Sequence, residues 1–286
     1  MISKGVGYML ISVVSFSLMN LCVKYLKHIN SFEIVFFRSL FTLVVSYYFI
    51  KRSNISLFGN NKLLLILRGV FGSAGLLLFF FTVQKMPLAS AVTIQYTSPI
   101  FTAIFAMFIL KEKMKLIQWL FFVVSFSGVL MIKGFDERVD LVLLVAGVGS
   151  AFFSGLAYNI VRKLKDFDHP LTVIFYFPLI TIPLITPYVI SNWQMPQGID
   201  WILLLLVGIF TQVAQLYMTK AYQIETVDSI SGIIYLGIIF ALGYGYFLFD
   251  EAFEMPVIIG MGLVVFGVIL NLIYKNYIKR KPISVG

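Results

Sequence analysis

FILKEKMKLIQWLFFVVSFSGVLM (Phe108 to Met131) and FLFDEAFEMPVIIGMGLVVFGVIL (Phe247 to Leu270) are two versions of one segment, set 139 residues apart. The shift places Glu112 on Glu251 and Gly128 on Gly267, and it also pairs Gln84 with Gln223, Ser90 with Ser229 and Tyr96 with Tyr235. A shift of 138 carries the same match into the first helices, where Ser12 meets Ser150 and Lys24 meets Arg162. A repeat of this period makes each half of the chain one structural unit.

Working outward, each unit holds five apolar runs of about 20 residues, long enough for a hydrocarbon core about 30 Å thick. The runs are Gly5 to Leu26, Phe32 to Ile50, Lys62 to Val83, Leu88 to Leu110, Leu116 to Lys133, Val139 to Val161, Leu171 to Ile190, Asp200 to Ala221, Asp228 to Leu248 and Met255 to Tyr274. The connections are short, and the first run reads as a retained helix. Composition agrees: 60% of the 286 residues are hydrophobic and 12% charged, which excludes a water-facing globule. Five is odd, so the second unit enters the membrane from the opposite side. The reading is an all-α integral membrane protein of ten transmembrane helices in two inverted five-helix repeats, residues 1–135 and 136–286.

Charge sets the orientation. Fifteen of the 22 Lys and Arg flank connections on the side of the N-terminus and four flank the opposite side, which places both termini in the cytoplasm. The net charge of +9 is therefore mostly orientation and calls for no nucleic acid. Lys24, Arg38 and Arg68 remain within the spans.

Polar residues inside the spans are the candidates for function, because each is costly in lipid. Pro99 sits mid-way along the fourth span, where a missing N–H would free the Gln95 carbonyl. Gln95, Ser98 and Thr102 share that face, with Tyr96 beside it, either lining a cavity or forming a packing kink. Gln212, Gln215, Thr219 and Tyr222 make one stripe on the eighth span. Asn20 and Lys24 share a face of the first span, and its repeat mate supplies Ser150, Ser154, Tyr158 and Arg162. Pro178, Pro183 and Pro187 punctuate the seventh span as bends, with Pro183 the candidate hinge. Arg38 lies about 9 Å inside one boundary; it can present charge to a substrate or snorkel to the headgroups, and Arg68 reads as the snorkelling case at the opposite end. Lys24, Arg162 and Arg38 together suggest positive potential for a substrate with a carboxylate or other anionic group. Glu112 and Glu251 read as dipole partners for the helices that follow them.

KMPLASAVTIQYTSPIFTAIFAMFILKEK (Lys85 to Lys113), RGVFGSAGLLLFFF (Arg68 to Phe81) and FFRSLF (Phe36 to Phe41) resemble the drug/metabolite transporter superfamily, EamA type. The resemblance covers nearly the whole chain. It implies a secondary active or facilitative transporter in a bacterial cytoplasmic membrane that moves a small polar metabolite by alternating access, with the substrate held between the halves. Candidate binding residues are Asn20, Lys24, Arg38, Gln95, Tyr96, Ser98, Tyr158, Gln212, Gln215 and Tyr235, with Pro99 and Pro183 as kink or hinge. The RGVFG helix is similar to branches that carry S-adenosylmethionine or riboflavin, which is the alternative within the family. The halves differ at Ser98 and Pro99, where the second has Gly237 and Ile238.

A membrane-embedded enzyme is the competing class. His28 and His169 fall on opposite sides of the membrane and cannot share a catalytic dyad or a metal. No catalytic residue, metal site or cofactor is expected. The expected partners are a small-molecule substrate and the lipid bilayer, and the sequence leaves the oligomeric state open.

Overall fold

The computed structural model describes residues 4–111, 114–224 and 233–280, with all their side chains except those at 219, 222–224, 275, 276 and 278–280. Glu112, Ser229 and the side chains of Thr219, Tyr222 and Gln223 therefore lie outside the described residues. The helices in chain order are α1 (Lys4–Tyr25), α2 (Ser31–Arg52), α3 (Lys62–Lys85), α4 (Leu88–Gln95), α5 (Ser98–Ile109), α6 (Leu116–Phe135), α7 (Leu141–Leu164), α8 (Pro170–Ser191), α9 (Asp200–Ile224), α10 (Leu236–Phe249) and α11 (Met255–Arg280). Among the described residues nine spans are long and apolar enough to cross a membrane, with α4 and α5 counted together, and α10 is a shorter apolar helix.

Short polar residues start several helices by accepting otherwise unpaired N–H groups. Asn30 caps α2 at Phe32, Asn61 caps α3 at Leu64, Asp140 caps α7 at Leu143, and His169 caps α8 at Leu171. The starts keep the repeat spacing: Ser31 and Pro170 are 139 apart, as are Leu116 and Met255, while Lys62 and Asp200 are 138 apart.

The connections gather at two ends. At one end His28 bonds Asp200 at 3.1 Å, Gln84 donates to the carbonyls of Leu26 and Ile29, the Gln194 N–H donates to Glu33, and Arg138 bridges Asp136 to the Ala252 carbonyl. At the other end the Asp168 carboxylate accepts the N–H groups of Asn60 and Asn61, Thr172 donates to the Ser56 carbonyl, and Tyr176 donates to the Phe58 carbonyl. Successive spans therefore run in alternate directions. Charge predicts the first end to be external and the second cytoplasmic.

Inside, α1 packs along α9, α3 along α7, α2 against α8, α4 against α10 and α6 against α11. Ser12 donates to the Ala214 carbonyl at 2.9 Å, and Ser150 donates to the Gly75 carbonyl at 2.7 Å. Between α6 and α11 the backbones nearly touch. A Cβ at Gly267 would stand 2.5 Å from the Phe121 carbonyl oxygen, and one at Gly128 would strike that of Gly260. The outward faces carry Val44, Leu130, Ile190 and Phe247, all more than 60% exposed, as a surface built for lipid requires.

One expectation about prolines changes. The fourth span is two helices and not one kinked helix: the chain turns at Tyr96 and Thr97, and Pro99 occupies the first turn of α5. Proline is at home there, since that N–H has no partner within the helix. The seventh span is one helix, α8, with Pro178, Pro183 and Pro187 inside it, where each removes a backbone donor and favours a bend.

Candidate functional site

The residues predicted from the sequence fall into three groups. At the predicted external end Lys24 Nζ lies 2.9 Å from Glu251 Oε1, with about nine-tenths of both side chains buried, and it also donates to the Met86 carbonyl. The Glu251 carboxylate accepts the Leu88 N–H at 2.8 Å. Glu251 thus caps α4, which begins after Pro87 with no side-chain cap, in place of the expected dipole partnership with the helix that follows it. Lys24 is committed to this pair and does not join Arg38. Arg162 sits in the last turn of α7, where Nη1 reaches Asn159 at 3.5 Å.

The second group lies at the helix breaks. Tyr96 ends α4 and Tyr235 precedes α10, and the two rings meet edge to face with centroids 5.5 Å apart. The Tyr96 hydroxyl occupies the place a Cβ on residue 237 would need, so Gly237 is the residue that admits it. This accounts for glycine where the first half has Ser98, which is buried in the first turn of α5. Gln95 bonds across to α7, donating to Ser154 at 3.0 Å, while its Oε1 lies 2.6 Å from the Ser150 hydroxyl and shares that group's one hydrogen with the Gly75 carbonyl. That geometry joins helices, as a polar side chain between spans commonly does.

The third group is central. Arg38 is seven residues into α2 and Arg68 six into α3, so each Cα is about 10 Å along its axis from the helix start, and the starts lie at opposite ends. Both side chains converge on one ring. The guanidinium carbon of Arg38 lies 5.4 Å from the Phe177 centroid and that of Arg68 4.9 Å. The two charges act on one another, and Tyr158 stands close enough to interact with Arg68. Arg38 Nε donates to Thr211 Oγ1 at 3.0 Å, and that hydroxyl donates to Met19 Sδ. Gly72, one turn after Arg68, has no Cβ to obstruct Arg68 Nη1. Buried atoms without a hydrogen-bond partner among the described residues include Arg38 Nη1, Arg68 Nε and Nη1, Asn20 Oδ1 and Gln212 Oε1. Asn20 and Gln212 directly follow Met19 and Thr211 in the chain. Gln215 lies nearly one turn further along α9.

Sequence reasoning put Arg68 among the snorkelling residues. The signal that could have found it was depth: two arginines about equally far in from opposite ends, with the one acidic residue of the two spans, Glu33, in the first turn of α2. Among the described residues no group of three His, Cys, Asp or Glu gathers as a metal site.

The chain matches the EamA-like transporter family over residues 3–134 and again over 141–273. It belongs to that family. Relatives of this EamA-like transporter include the pseudopaline exporter CntI of Pseudomonas aeruginosa, 28% identical over 268 residues that cover 93% of this chain and 94% of the relative. Human solute carrier family 35 member G1 is 31% identical over 265 residues, covering 86% and 73%. The S-adenosylmethionine uptake transporter of Rickettsia prowazekii is 26% identical over 274 residues, covering 92% and 90%. A solved crystal structure superposes with a TM-score of 0.67 at 15% identity, covering 97% of this chain and 99% of the other, which is a likeness of fold. The protein is a multi-pass membrane protein and a small-molecule transporter.

Proposed function

We propose that this protein is an alternating-access carrier of a small polar metabolite in a bacterial cytoplasmic membrane. Residues 1–135 and 136–286 are its two halves, inserted in opposite orientations with both termini cytoplasmic. The observation that carries the reading is a hydrogen bond made twice. Ser12 bonds the Ala214 carbonyl and Ser150 bonds the Gly75 carbonyl. Ser12 and Ser150 are 138 apart, Gly75 and Ala214 are 139 apart, and exchanging the halves turns one bond into the other. The α6 and α11 seam behaves alike, since the exchange carries Gly128 to Gly267 and Phe121 to Gly260, and so relates the two close backbone approaches. Two equivalent halves of five spans each support an inverted repeat, and such repeats open alternately to either side of a site between them.

The buried Lys24 to Glu251 pair is the closure at the external end. It ties α1 of the first half to the connection before α11 of the second and, through Leu88, to α4. Opening outward separates these elements and exposes both charges to water.

The test is protein-dependent flux. Purified protein in liposomes is offered a labelled panel of amino acids and organic acids. Saturable uptake that accelerates when the same compound is preloaded is the expected result, because a carrier exchanges its substrate in both directions. Folded protein that moves no member faster than protein-free vesicles, or moves them without saturation, contradicts the reading.

A further inference from the structure

We propose that the substrate is a small organic acid with two ionised carboxylates, held between Arg38 and Arg68 across the face of Phe177. The proposal rests on the carrier reading and names the substrate class of the same site. A charge deep in a membrane is tolerated when it is paired or faces water. Among the described residues neither arginine has a carboxylate partner, although Arg38 is only 5% exposed and both contribute buried N–H groups with nothing to bond. Lys24 takes up Glu251 at the predicted external end, and Glu33, in the first turn of α2, accepts the Gln194 N–H.

What is present compensates the two cations only in part. Phe177 offers its negative ring face to both guanidinium groups. Thr211 satisfies one N–H of Arg38. The remaining donors form two planar forks that suit carboxylates bidentately, and two monovalent cations are neutralised by a dianion. Positions also matter: Arg38 projects from the α2 start and Arg68 from the α3 start, at opposite ends of the bundle, so a bound diacid is reached from each side by one arginine. The repeat explains why the site is one-sided in chemistry. A shift of 139 takes Arg38 to Phe177, so equivalent points in the halves supply the cation and the ring on which it rests. Asn20 Oδ1 and Gln212 Oε1, each one residue along the chain from Met19 and Thr211, are further buried acceptors without a partner among the described residues. A cationic substrate such as S-adenosylmethionine would add charge to a site already carrying two.

The experiment uses purified full-length protein at matched ionic strength. Its melting temperature is followed against succinate, malate and glutamate, with succinamide as the neutral counterpart and inorganic phosphate as a compact anion. At least one diacid raises the melting temperature in a saturable way, and succinamide and phosphate do not. Arg38→Gln and Arg68→Gln each weaken diacid binding at least about tenfold, the size of a lost charge-assisted hydrogen bond. Without ligand these variants melt at the parental temperature or above, because an uncompensated buried charge has been removed. Arg38→Lys keeps the charge and loses the fork, and it binds with intermediate affinity. Equal stabilisation by succinamide or phosphate, parental affinity in the Gln variants, or ligand-free melting well below the parent overturns the proposal. If Arg38→Gln does not fold, a folded Arg38→Lys with unchanged affinity overturns it as well. Diacid binding without flux would uphold this site and sink the carrier reading. Saturable flux of a neutral or cationic compound, indifferent to Arg38→Gln, would do the reverse.

Discussion

Lys24 and Glu251 show how a residue's meaning depends on a partner that sequence proximity does not reveal. Each was interpretable alone, the lysine as a polar member of a helix face and the glutamate as a dipole partner, and both readings missed the 2.9 Å pair they form. Removing one member leaves the other charged and buried, which costs about 3–5 kcal/mol, whereas replacing both with apolar residues of similar volume is close to neutral. Lys24→Met and Glu251→Gln are therefore each expected to lower the unfolding free energy by that amount, and the double variant Lys24→Met/Glu251→Gln, which keeps an acceptor for the Leu88 N–H, by far less than their sum. Additive losses in the double variant would show that the two side chains act separately. Gln95 teaches the same lesson. Its position on a polar face was legible, but whether it met substrate or another helix depended on Ser150 and Ser154, which lie in the other half of the chain.

At the scale of elements, hydropathy and charge located the helices well because burial in lipid demands length and leaves polar connections at the ends. The start of α2 at Ser31 and of α8 at Pro170 fall within a residue of the boundaries read from composition. The break in the fourth span was signalled by Pro99 and then misplaced. A proline can interrupt a helix or begin one, and only the turn at Tyr96 and Thr97 decides between them. That turn brings Tyr96 against Tyr235 and fills the space beside Gly237. Gly237→Ala should cost about 1–3 kcal/mol through overpacking. Adding Tyr96→Phe removes the hydroxyl in the way and should restore most of the loss in melting temperature. No recovery in the double variant would mean that the close approach of α4 and α10 is not what requires the glycine.

For the whole molecule, the proposed equivalence of the halves gives the Lys24 to Glu251 pair, the broken fourth span and the central arginines a common frame. The repeat was visible in Gly128 and Gly267 before any contact was known, yet its strongest support is the swapped pair of serine hydrogen bonds, which no single half contains. Opposite insertion of the halves is the claim on which the rest depends. It is tested most directly by single-cysteine labelling in intact cells, in a Cys22→Ser background that removes the chain's one native cysteine. Exposed positions serve best: Glu137 and Asn192 at one end, Ser53 and Asp166 at the other, with Asp136 avoided because it is buried against Arg138. A membrane-impermeant maleimide is predicted to label cysteines at Glu137 and Asn192 from outside, and to reach those at Ser53 and Asp166 only after permeabilisation. Labelling of Glu137 and Asp166 from the same side would contradict the account.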